Sequence, residues 1–125
     1  MPDKLPADIV ALIDTVFTAF NSKNETLLSS VYGANVVIVD GFAPYRWSGP
    51  QALAEWWTDA KAWAETGDVE SEHLDSKGIL AWGVSSDRAY ASVSATLTIT
   101  LWNGKLITRP GILTYTFARH RCVAR

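Results

Sequence analysis

From Arg88 to Trp102 the chain alternates without a break. Ala89, Ala91, Val93, Ala95, Leu97, Ile99 and Leu101 take one set of positions; Tyr90, Ser92, Ser94, Thr96, Thr98, Thr100 and Trp102 take the other. Only an extended strand, whose successive side chains point to opposite faces, produces that period. One face is therefore dry and the other is a Ser/Thr surface. At fifteen residues the run exceeds an average strand, so it should bend or twist. Asn103-Gly104 follows, the pair preferred in two-residue type I′ turns, and Lys105 to Arg119 should fold back as the hairpin partner. Pairing outward from that turn sets Leu106 opposite Leu101 and Thr108 opposite Ile99. Continued strictly, this register turns Leu113 and Tyr115 onto the Ser/Thr face. A bulge at Pro110-Gly111 would return Leu113, Tyr115 and Phe117 to the apolar face, and a bulge is predicted there.

The first half of the chain has a different period. Ile9, Leu12, Ile13, Val16, Phe17 and Phe20 recur at helical spacing and form one stripe. Pro6 falls in the first turn, where the missing N–H costs nothing, and Asp8 suits the positive end of the helix dipole. A short second helix is predicted to begin at Asn24, an N-cap residue type, burying Leu27, Leu28, Val31 and Tyr32 and stopping at Gly33. Val36 to Val39 is a β-branched run that delivers Asp40 at its end, and an aromatic loop, Gly41 to Trp47, comes next. Ser48-Gly49-Pro50-Gln51 fits a capping box, opening a third helix that carries Leu53, Trp56, Trp57, Ala60, Trp63 and Ala64 and closes at Gly67. Helices first and strands afterwards make the α+β class.

The 125 residues suit one domain, taken as 1–125, with 48% apolar and 19% charged residues. Net charge is −2 and the basic residues are scattered, apart from Arg119, Arg121 and Arg125 at the end, so nucleic acid is not an expected partner. Cys122 is the single cysteine, and His73 and His120 are the only imidazoles, which leaves no disulfide and no thiolate or His-rich metal site. No cofactor is expected. No apolar run reaches the roughly 20 residues that span a bilayer. Asp3 and Asp8 stand where a secretory signal would be apolar. A cytoplasmic protein with no membrane partner is the expectation.

The order of these elements resembles the nuclear transport factor 2-like superfamily, which includes ketosteroid isomerases, polyketide cyclases and scytalone dehydratases as well as non-catalytic members. The likeness runs over about residues 6–119. It rests on Val39-Asp40-Gly41 ending the first strand and on Trp47-Ser48-Gly49, whose glycine stands nine residues after Asp40. The resemblance implies a curved antiparallel sheet wrapped by the N-terminal helices into a cone with an apolar pocket. It implies Asp40 as a general base, and it implies homodimers formed through the sheet. The two hydrogen-bond donors of the isomerases fall at Val16 and Leu113 here, and neither side chain can donate. Isomerisation by that arrangement is therefore not expected. Relatives end with a further strand, whereas His120 to Arg125 is too short for one, so a sheet edge is expected to lack a partner.

Asp40 is thus the candidate carboxylate, with Phe42, Tyr45 and Trp47 as apolar neighbours able to raise its pKa; the plainer reading is an aspartate capping its turn. Tyr115 is the candidate donor, or a core aromatic. Val16, Phe20, Tyr45, Trp47, Trp56, Trp57, Trp82 and Leu113 are the candidate ligand-lining residues, each with packing as the alternative. Ala89, Ala91 and Ala95 would leave room for a cavity. His73 and Asp75, in the charged stretch Asp68 to Lys77, read as a solvated loop or edge before a strand, and Arg109 as an exposed hairpin residue. Three functions remain: a binder of a small apolar organic molecule, an isomerase, cyclase or dehydratase acting on a small carbonyl compound, and a dimeric association module using the Ser/Thr face with Tyr90 and Trp102.

Overall fold

The computed structural model describes residues 4–118, so Asp3, Arg119, His120, Arg121, Cys122, Arg125 and the expectations attached to them lie outside it. Helix α1 (Ala7–Asn21) and α2 (Glu25–Val31) lead into a short antiparallel pair, β1 (Val37–Val39) and β2 (Arg46–Ser48). Helix α3 (Ala52–Thr66) follows, then a curved sheet of β3 (Val69–Val84), β4 (Arg88–Leu101) and β5 (Leu106–Ala118), with β4 central. Among the described residues no helix is long and apolar enough to cross a membrane.

The dry face of β4 forms the core. Leu5, Ile9, Ile13 and Phe17 pack on Ala91, Val93 and Ala95, with Leu74, Trp82, Val84, Leu113, Tyr115 and Phe117 around them. Of the small residues of β4, Ala91 and Ala95 are buried against α1, whereas Ala89 borders a depression of about 160 Å³. Val93 and Leu28 are fully buried, each burial stabilising by roughly 1.5–3 kcal/mol. Asn24 caps α2 as its residue type predicts, its side-chain oxygen accepting the Leu27 N–H at 3.0 Å. Gly33 is not the stop; the helix ends because Tyr32 is already extended, at φ −87° and ψ 141°.

Two junctions differ from the sequence reading. The segment read as loop contains β2, and Ser48 is its last residue, paired with Val37. Helix α3 begins only at Ala52, so Ser48 does not stand at its N-cap and the capping box does not form. Gln51 is the N-cap, with no side-chain hydrogen bond. The hairpin differs by one residue. Leu101 accepts the Gly104 N–H at 2.9 Å and donates its own N–H to Lys105 at 2.9 Å. Only Gly104 has positive φ (88°), so the loop is Trp102-Asn103-Gly104 with a glycine bulge and not a type I′ turn.

That single extra residue resets the register. Leu106 faces Thr100, Ile107 faces Ile99, and pairing runs unbroken to Ala118 opposite Arg88. Leu113, Tyr115 and Phe117 reach the dry face without the bulge expected at Pro110-Gly111. Pro110 is tolerated because β5 is an edge strand among the described residues. The irregularities lie in β3, which has register shifts between Val69 and Ser71, Ser76 and Gly78, and Ile79 and Ala81. They bend the sheet from its other edge. His73 and Asp75 accordingly lie within β3, paired with Thr98 and Thr96, not in a loop before it.

Candidate functional site

Asp40 follows β1 directly, and its loop closes through Asp40 N–H to Tyr45 O (3.2 Å) and Tyr45 N–H to Phe42 O (2.8 Å). Both carboxylate oxygens are engaged: Oδ1 accepts the Gly41 N–H at 2.7 Å, and Oδ2 accepts the Trp56 indole N–H at 3.0 Å. The group is exposed. Trp57 meets Trp56 edge-on, with ring centroids 6.2 Å apart. A second bond of the same kind joins Trp47 Nε1 to Asp59 Oδ2 at 2.8 Å. Trp47 is buried and lies against Phe42, which stacks in turn on Trp63. The two Trp–carboxylate bonds tie β1 and β2 to α3.

Behind Asp40 stands a group of side chains the sequence did not bring together. Tyr115, opposite Ala91 on β5, has its pKa pushed well above the ordinary phenol value, first by burial and then by neighbouring Tyr32. Tyr32, at the end of α2, is raised by burial and next by Asp40. Glu72 on β3 is opposite Ile99 on the inward face, its side chain 15% exposed and 3.9 Å from Lys23 Nζ. Burial raises the Glu72 pKa; Lys23 opposes that shift and Asp40 adds to it. Among the described residues neither tyrosine hydroxyl makes a hydrogen bond to the protein, and neither is sealed from solvent.

Lys23 reaches this place through the turn after α1. Asn21 clamps β3 by donating Nδ2–H to Leu74 O (2.8 Å) and accepting the Leu74 N–H (2.7 Å). Lys23 then takes positive φ (56°), with its ammonium 4.5 Å from the Phe20 ring centre.

Of the remaining candidates, Val16 and Phe20 are half-buried on α1, and Trp82 and Leu113 pack against the core. Tyr45 is exposed. Two depressions measure about 270 Å³, bounded by Tyr32, Val36, Pro50 and Leu53, and about 160 Å³, beside Ile9, Leu12 and Phe117. None of the proposed ligand-lining residues borders either one. Tyr32 does border the first. Among the described residues no three His, Cys, Asp or Glu side chains gather as a metal site. Glu72 was missed because its stretch is charged, although it shares a strand face with apolar Leu74. Tyr32 was missed because it continues the apolar face of α2.

No protein-family model and no curated protein matches the sequence. Solved structures do. The hexachlorocyclohexane dehydrochlorinase LinA-type3 from Novosphingobium barchaimii superposes with a TM-score of 0.75 at 14% identity, over 94% of this chain and 77% of that one. A protein from Streptomyces avermitilis, assigned as a dehydratase of the NTF2-like family, superposes with a TM-score of 0.71 at 15% identity, over 89% and 84%. The chain has the nuclear transport factor 2-like (NTF2-like) fold. A Caulobacter vibrioides protein with a cystatin-like fold also matches, with a TM-score of 0.68 at 20% identity over 90% and 77%. At such identities the likeness carries the NTF2-like fold and its cone, and the activities belong to those proteins.

Proposed function

We propose that the cone binds a small, mainly apolar organic molecule carrying a carbonyl or hydroxyl oxygen. The observation that carries this reading is the pair Tyr32 and Tyr115, two half-buried phenols whose hydroxyls have no protein partner among the described residues. Half-buried donors of this kind suit a ligand oxygen, and the apolar residues around Tyr115 suit its body. Asp40 and Glu72 outnumber Lys23 there, so a neutral ligand is preferred to an anionic one.

The test is quenching of tryptophan fluorescence by ring ketones, phenols and small carboxylates, in the wild type, Tyr32→Phe and Tyr115→Phe. Saturable quenching by a neutral ketone is expected, weakened about fivefold in each variant, the equivalent of one hydrogen bond of about 1 kcal/mol. No response from any compound, in protein shown to be folded, would overturn the reading.

A catalytic reading, isomerase, cyclase or dehydratase, is favoured by one further observation: Glu72, a half-buried carboxylate on the inward face of the sheet. In that reading a cone carboxylate takes a proton from the bound molecule and a tyrosine steadies the oxygen that gains charge. The family position points to Asp40 as that base. We also propose that the outer sheet face pairs with a second copy of the chain. Tyr90, Trp102, Leu106 and Ile112 are exposed there, with Ser and Thr between them.

A further inference from the structure

We infer that Glu72, set against Lys23 inside the cone, and not Asp40, is the group that exchanges a proton with the bound molecule. The inference rests on the catalytic reading above. Asp40 is exposed and both its oxygens already accept hydrogen bonds, at 2.7 and 3.0 Å. Both oxygens are therefore already committed to donors of the protein itself. Glu72 is the opposite case. Among the described residues its oxygens accept no backbone or indole N–H, its side chain is 15% exposed, and its one cationic neighbour stands 3.9 Å away. Burial and the nearby Asp40 charge both favour its neutral form.

Its surroundings are few. Lys23 faces it at 3.9 Å from the turn after α1, the Asp40 charge at the end of β1 acts on it, and Leu74 and Ile99 are its apolar neighbours on the inward face. His73, Asp75 and Lys77 are exposed on the same strand. The Asn21 clamp on Leu74 fixes both partners, since it ties the segment carrying Lys23 to the strand carrying Glu72.

The step is a reversible proton transfer. A Glu72 oxygen takes a proton from a C–H next to a ligand carbonyl. The C–H electron pair moves into the carbonyl system as an enolate, and the same carboxylic acid returns the proton to that carbon or to another. Lys23, a positioning residue, favours the charged form of Glu72, the form that accepts the proton. No co-reactant is required.

Two measurements test this. The first is a side-chain carboxyl ¹³C NMR titration of the wild type, Lys23→Met and Asp40→Asn, which needs no ligand. Glu72 should titrate above the ordinary glutamate value, higher still in Lys23→Met and lower in Asp40→Asn. A Glu72 that titrates at or below the ordinary value, or that neither variant moves, overturns the inference and leaves the binding reading standing. The second is hydrogen–deuterium exchange at the α-carbons of a ring ketone that saturates the quenching titration, cyclohexanone first. Glu72→Gln should slow exchange about 100-fold or more, the scale of one general base. Lys23→Met should move the acidic limb of the pH profile, where the carboxylate takes up its proton, to higher pH, a shift that a merely structural role would not produce. Asp40→Asn should move it downward with less than about a tenfold loss. Exchange lost in Asp40→Asn and kept in Glu72→Gln overturns the inference, as does no exchange above the buffer rate for a ketone that binds.

Discussion

Asp40 and Glu72 are carboxylates close enough for their charges to act on each other, and their surroundings set them apart. One is exposed with two hydrogen bonds; the other is largely covered and held by a single ammonium at 3.9 Å. The difference has a thermodynamic sign. Because the folded-state value of Glu72 is raised above 4.5, the folded protein holds a proton that the unfolded chain has released at pH values just above 4.5. Stability therefore falls as pH rises through that window, and the loss persists at neutral pH. Glu72→Gln cannot ionise and should escape it. Its Tm should exceed the wild type near neutral pH, and the gain should shrink as pH falls below the ordinary glutamate value. A gain that grows towards acid pH would contradict the raised value. Asp40 was legible as a candidate because a β-branched run points to it. Glu72 was not, because nothing local separates a glutamate that turns inward from one that turns to water.

At the scale of elements, the short contacts between segments matter more than the segments themselves. The Asn21 side chain answers the N–H and C=O that Leu74 presents on the open side of edge strand β3, as a neighbouring strand would. Asn21→Ala leaves both groups without that partner and should cost about 1–3 kcal/mol in urea unfolding, with the m-value unchanged. It should also lower Glu72 basicity less than Asp40→Asn does, since it removes no charge. Helix α1, the cap at Asn24 and the long strand were legible because each is written in a local period or a local hydrogen bond. Strand β2 was not: three residues, Arg46–Ser48, carry no period, and they are a strand only because β1 lies beside them. The hairpin shows the same dependence. Asn103-Gly104 predicts a tight turn correctly in place, but one more loop residue changes which face every side chain of β5 occupies.

At the scale of the whole molecule, the sheet has one face covered by α1 and one bare among the described residues. The bare face carries Leu106 and Ile112 at 64% exposure and Trp102 at 71%, among hydroxyl side chains that permit close approach of another sheet. Ile112→Glu should leave the fold intact and turn a dimeric wild type into monomer in sedimentation experiments; a monomeric wild type would remove the association proposal altogether. The sequence by itself determined the class of fold: alternation over β4 and a helical stripe over α1 each specify an element and its buried side, since both are periods of a single segment. Tertiary structure decided the register of β5, the bulges that place the bend in β3, and the membership of the site. Lys23, Tyr32, Asp40, Glu72 and Tyr115 come from five separate segments. Their nearness, and the desolvation that shifts three of their pKa values, exist only once the sheet has curved and α1 has closed over it.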